Sequence, residues 1–168
     1  DILLQAIGAI NLSASKIIET NGGDVTFLAS SSGVATSASS AIYLNTSSQI
    51  LSKGGHITLG GAYAGSEGNL YAATNNTGGG YAIRMDASTI LNAAGGNVKI
   101  YGRNVPSYGD GVYLNTVNLS TTGSGTIGVY GDSFGGFNGT TYFGGITFDN
   151  RAATIQTVDG NITIEGIL

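Results

Sequence analysis

Cysteine is absent from this chain of 168 residues. That excludes disulfide frameworks, thiolate metal sites and cysteine nucleophiles, and it leaves the redox compartment open. Proline occurs once, at Pro106, and tryptophan not at all. Charge is scarce as well: only 10% of residues carry it, and the net charge is −4. The six basic residues (Lys16, Lys53, Arg84, Lys99, Arg103 and Arg151) form no cluster. Nucleic acid and anionic lipid are therefore poor partners, because both require a concentrated positive field. No apolar run approaches the roughly 18 residues of a membrane span, so no membrane insertion is expected. No helix-length periodic segment is present either, which makes the expected class all-β.

What fills the chain instead is a phrase that returns five times. It consists of an apolar-x-apolar strand, a second short strand, and a glycine-rich turn into a third strand. One copy reads Ile42-Tyr43-Leu44, Ile50, Gly54-Gly55-His56-Ile57-Thr58-Leu59, and the next Ile83-Arg84-Met85, Ile90, Gly95-Gly96-Asn97-Val98-Lys99-Ile100. The others centre on Ile10-Asn11-Leu12, Val112-Tyr113-Leu114 and Ile146-Thr147-Phe148. A unit too small to bury its own apolar face must stack on its neighbours, so the repeat predicts a solenoid. Side chains alternate along a strand, which sends Ile42/Leu44, Ile83/Met85, Val25/Phe27, Ile57/Leu59, Val98/Ile100, Ile127/Val129 and their equivalents inward as stacked columns. Like stacked on like predicts parallel pairing between successive windings.

Repeat spacing runs from 29 residues (Ile83 to Val112) to 41 (Ile42 to Ile83). Nearly all of that variation falls between the third strand and the next first strand, at Ser30–Ser40, Gly60–Tyr81, Gly102–Asp110 and Gly131–Gly144. Solenoids collect insertions on one edge, often the binding edge. Residues 1–168 read as a single β-helix repeat segment of about five coils. Its phase opens and closes on a third strand, which is the pattern expected of an uncapped piece of a longer rod.

The phrase Ala41-Ile42-Tyr43-Leu44-Asn45 followed by Gln49-Ile50-Leu51-Ser52-Lys53-Gly54-Gly55-His56-Ile57-Thr58-Leu59 resembles the filamentous-haemagglutinin-like repeats of bacterial two-partner-secretion and autotransporter passengers. The resemblance spans essentially the whole chain. It implies a right-handed parallel β-helix, an extracellular or outer-membrane-associated cell-surface location, and a non-catalytic adhesive, fibre- or biofilm-matrix-forming role. Partners would be glycans or proteins of a host or neighbouring cell, or further copies in a filament.

Candidate contact residues are aromatic. The outward first-strand position carries Tyr43, Arg84 and Tyr113 on successive windings, which predicts a tyrosine–guanidinium–tyrosine ladder. Tyr101 and Tyr130 form a second outward pair. Tyr63, Tyr71, Tyr81, Tyr108, Phe134, Phe137, Tyr142 and Phe143 join them from the insertions. The bland counterpart is a set of cross-strand pairs that only stabilise the sheet. A carbohydrate-active alternative, lyase- or hydrolase-like, would draw on the loop carboxylates Glu67, Asp110 and Asp132, with Lys99 and Arg103 nearby. His56 shares its register with Asp24, Asn97, Thr126 and Asn161, and so reads as a polar corner residue and not a catalytic base. No metal site and no cofactor are expected.

Overall fold

A computed structural model describes residues 1–64, 70–74, 80–105, 109–133, 136–137, 142–149 and 153–168, with the backbone path alone at 136–137 and 142–143. Among these residues every regular element is a strand. The chain winds through three parallel sheets in a fixed order, and each winding adds one strand to each sheet. The parallel β-helix expected from the repeat is what the chain forms.

The first-strand sheet is built from Ile10–Leu12, Ser40–Leu44, Gly80–Met85, Gly109–Asn115 and Ile146–Asp149. The second-strand sheet stacks Ile17–Glu19, Gln49–Leu51, Ile90–Asn92, Asn118–Ser120 and Thr154–Gln156. The third-strand sheet runs through Ile2–Gln5, Val25–Ala29, Ile57–Gly61, Val98–Asn104, Ile127–Ser133 and Ile162–Ile167. Register follows the repeat: Ile42 pairs with Ile83, and Ile83 with Val112. Val25 likewise pairs with Ile57, and Ile57 with Val98.

The columns meet inside. Ile42, Leu44, Ile83, Met85, Val112, Leu114, Val25, Phe27, Ile57, Leu59, Val98, Ile100 and Val129 are fully buried in one continuous core. Burying a side chain of this size stabilises by about 1.5–3 kcal/mol, and that burial outweighs the entropy of ordering so many short strands. The expected inward pairs of the outermost windings are more open. Phe148, Ile162 and Ile164 are 45–48% exposed, because a winding lies on one side of them only.

The corner between second and third strands is turned by two glycines for two different reasons. The first, Gly54 or Gly95, holds φ near +120°, a region that side chains avoid. The second, Gly55 or Gly96, takes no such angle, but a Cβ there would overlap the carbonyl of Gly23 or Gly55 in the winding below. A hydroxyl placed three residues earlier ties the turn together. Thr20, Ser52 and Thr157 donate to the carbonyls of Gly23, Gly55 and Gly160 at 2.5–2.6 Å. The equivalent position in the third winding is Ala93, and there Thr121 of the next winding donates to Gly96 O at 2.6 Å instead.

The opposite corner, between third and first strands, holds the insertions, as the spacing predicts. Part of what reads as insertion is strand, however. The sheets extend to Asn104 and Ser133 and restart at Gly80 and Gly109. They close like a wedge, with Gly102 against the backbone of Gly111 and Gly131 against that of Gly145. Two insertions contain antiparallel hairpins, Tyr63–Ala64 with Leu70–Thr74 and Gly136–Phe137 with Tyr142–Phe143. After the first excursion the chain rejoins the third-strand sheet, and Ala72, Ala73 and Thr74 lie beside Gly102, Arg103 and Asn104.

Candidate functional site

Two outward surfaces carry the candidate residues. On the first-strand sheet the register places Arg84 between Tyr43 and Tyr113. The guanidinium carbon sits 4.9 Å from the Tyr43 ring centre and 5.9 Å from that of Tyr113. The sequence-predicted ladder is present. Its carboxylates are the part the sequence reading missed. Tyr43 donates to Asp86, Tyr113 donates to Asp149, and Arg84 Nε pairs with Asp86 at 2.8 Å. The Asp86 bond, with burial behind it, raises the Tyr43 pKa. Burial comes first for Tyr113, reinforced by Asp149, and again the shift is upward. Both phenols therefore stay protonated and donating at neutral pH.

Tyr81 also joins this cluster, its ring 4.5 Å from Tyr113 and 5.5 Å from the Arg84 carbon. Strict alternation back from Ile83 would send Tyr81 inward, and the sequence places it among the insertion aromatics instead of in the ladder. The start of this strand breaks the alternation: Ala82 is buried and Tyr81 half-exposed.

On the third-strand sheet Tyr101 and Tyr130 are register partners, with rings 4.9 Å apart and nearly parallel at 9°. Tyr71 meets Tyr101 edge-on at 6.0 Å. Tyr71 is only 1% exposed, which removes it from the contact surface. The insertion folds its returning strand into the sheet instead of displaying it, and the ring is buried by that strand's own packing. Arg103 lies 5.5 Å from the Tyr63 ring centre and 3.5 Å from an Asp132 oxygen. Glu67, Tyr108 and Phe134 lie outside the described residues, while Phe137, Tyr142 and Phe143 stand on a described hairpin backbone.

Of the carboxylates proposed for the enzymatic alternative, Asp110 and Asp132 are strand residues, not loop residues. Asp110 is 3% exposed and accepts the Gly144 N–H at 2.8 Å. Burial raises its pKa against the opposing pull of that bond. Asp132, also buried, faces Arg103. Around them is a seam of buried polar side chains that clamp the wedge. Asn104 donates to Gly80 O at 2.7 Å, and Ser133 donates to Gly109 O at 2.7 Å. Further back, Ser30 donates to Ala73 O at 2.9 Å.

The polar corner register holds a third arrangement, a hydrogen-bonded column along the axis. Asp1 Oδ1 accepts the Asp24 N–H at 2.9 Å, and Asp24 Oδ1 accepts the His56 N–H at 2.7 Å. His56 Nδ1 then accepts the Asn97 N–H at 2.9 Å, and Asn97 Oδ1 accepts that of Thr126 at 2.8 Å. Accepting at Nδ1 fixes the neutral imidazole with its proton on Nε2. His56 is the corner residue its register implied. Among the described residues no three His, Asp or Glu side chains gather as a metal site would require.

No family model, no curated protein and no solved structure matches this chain.

Proposed function

We propose that this chain is a structural and adhesive segment of a secreted or cell-surface fibre, a rod that presents contact surfaces and catalyses nothing. The filamentous-haemagglutinin-like repeat pattern favours that setting, with glycans or proteins of a neighbouring surface as partners. The observation that carries the reading is how the polar side chains are used. Tyr43, Arg84, Asp86, Tyr113 and Asp149 pair with one another along the rod axis. Asp110 and Asp132, the carboxylates an enzyme would need, are buried in bonds that hold a corner together. Such bonds stiffen a scaffold and leave neither of these two carboxylates free as an exposed acid or base. The Arg84 guanidinium also lies over the Tyr43, Tyr81 and Tyr113 rings, so the first-strand ladder offers edges, hydroxyls and charge to a partner instead of flat platforms.

The test has two arms. The chain immobilised on beads should retain cells or glycan-coated surfaces above an inert protein of equal charge. Incubated with soluble acidic and neutral polysaccharides, it should release no new chain ends. Cleavage that disappears in Asp110→Asn and Asp132→Asn would overturn the reading in favour of the carbohydrate-active alternative.

A further inference from the structure

The corner column does more than close a turn. Each of its planar side chains uses one atom on the backbone of the next winding, so the other atom of the same group is held toward solvent. Asp24 keeps Oδ2, His56 keeps Nε2–H and Asn97 keeps its Nδ2 donors, three groups in a row at about 4.8 Å intervals. Two residues further along the same strands stand Thr26, Thr58 and Lys99, themselves register partners. These six residues line a groove of about 210 Å³. On the side of the next winding, the Tyr130 ring lies over Gly128, the register partner of Lys99.

The chemistry of the array is lopsided. Asp24 offers only acceptors, so its end suits hydroxyl donors, with the Thr26 and Thr58 hydroxyls beside it. The other end gathers the Lys99 ammonium, the Asn97 amide and the His56 Nε2–H, a set of donors that suits a carboxylate. Lys99 is exposed and in no ion pair with a described residue, in contrast to Lys53, Arg84 and Arg103. At about 210 Å³ the groove falls short of the roughly 300–1,000 Å³ of a drug-sized pocket and is on the scale of one sugar ring.

We propose that this groove binds a hexuronic acid unit of an acidic saccharide, its carboxylate at Lys99, Asn97 and His56 and its hydroxyls at Asp24, Thr26 and Thr58. The inference rests on the reading of the outer faces as contact surfaces and gives one of them a ligand class. Nothing in the first-strand tyrosine ladder takes part.

Amide NMR of the whole chain, titrated separately with sodium glucuronate, glucose and sodium acetate, decides it. Glucuronate should produce saturable shifts at the amides of His56, Thr58, Asn97 and Lys99, with glucose and acetate each weaker by about tenfold. Lys99→Gln should bring glucuronate down to the level of glucose. Asp24→Asn keeps an oxygen for the His56 N–H, and should weaken glucuronate and glucose alike. The fingerprint spectrum of each variant shows directly whether it is folded. Equal shifts with acetate would mark an adventitious anion only and overturn the assignment. So would no saturable shift at these amides, or unchanged glucuronate binding in folded Lys99→Gln. Cell retention by the beads together with no glucuronate shift would sink this inference and leave the adhesive reading standing.

Discussion

The two glycine-rich corners of the rod solve opposite problems. At the corner before the third strand, every winding crosses in nearly the same number of residues, and each turn rests directly on the one below. At the corner after the third strand, the sheets converge until Gly102 meets Gly111 and Gly131 meets Gly145. Only beyond that closed wedge does the chain wander into hairpins. One corner is a repeated joint, and the other is a seal with free length outside it. The contrast explains why the repeat spacing varies so widely without disturbing the core: past Gly131 the extra length lies outside the seal, and the Gly60–Tyr81 insertion returns to the sheet and adds Ala72 to the core. It also shows that glycine marks close backbone approach in both places, so glycine content alone does not distinguish a conserved-length turn from a variable one.

The contrast is sharpest at Gly96, where an added Cβ would overlap the Gly55 backbone rather than the end of a flexible side chain. Gly96→Ala should cost more than about 3 kcal/mol in chemical denaturation, or prevent folding altogether. At the sealed corner the decisive bond is polar. Ser133→Ala leaves the buried Gly109 carbonyl without its 2.7 Å donor, and should cost about 1–3 kcal/mol by the same measurement.

Ser52→Ala strips the equivalent hydroxyl from the repeated joint, and the expected loss is smaller, about 1 kcal/mol. The next winding already tolerates alanine at that position, as Ala93. A loss at Ser52 as large as that at Ser133 would erase the distinction between joint and seal.

A pH experiment sharpens the same point at Asp110. Burial raises its folded pKa above the ordinary value of 3.8, so the folded chain holds the proton more tightly than the unfolded one. Its contribution to stability is therefore fully present below 3.8 and is lost as pH rises from there through the raised folded value. Asp110→Asn should flatten that part of the stability–pH curve, measured by denaturant titration across the acid range. The smallest effect belongs at Gly144, where the nearest described atom to an added Cβ is Ile146 O at 3.6 Å, and Gly144→Ala should shift stability by less than about 0.5 kcal/mol.

Much of this was legible in the residues. Period-two alternation located the inward columns because the strands are short and stacked in register, so Ile42, Ile83 and Val112 had to coincide. The same logic placed Tyr43, Arg84 and Tyr113 together. It failed at Tyr81, where alternation breaks at the start of a strand, and at Tyr71, whose burial depends on a returning strand with no counterpart in the other repeats. Asp86 and Asp149 each stand just past a first-strand phrase, where nothing in the sequence shows that they reach a tyrosine from the preceding winding. Asp110 and Asp132 looked like loop acids because the extension of the sheets past the repeat phrase leaves no periodic signal in so glycine-rich a stretch.

The corner column from Asp1 through Asp24, His56 and Asn97 to Thr126 has one further property. All four of its bonds point the same way, from a backbone N–H down to the side chain of the preceding winding. The rod thus has a polarity of its own, apart from the order of its residues. An earlier winding stands with its acceptor already oriented before the next one arrives, and a later winding offers nothing equivalent in return. A chain folding in the order of its synthesis would therefore lay each turn onto a finished template, one register at a time.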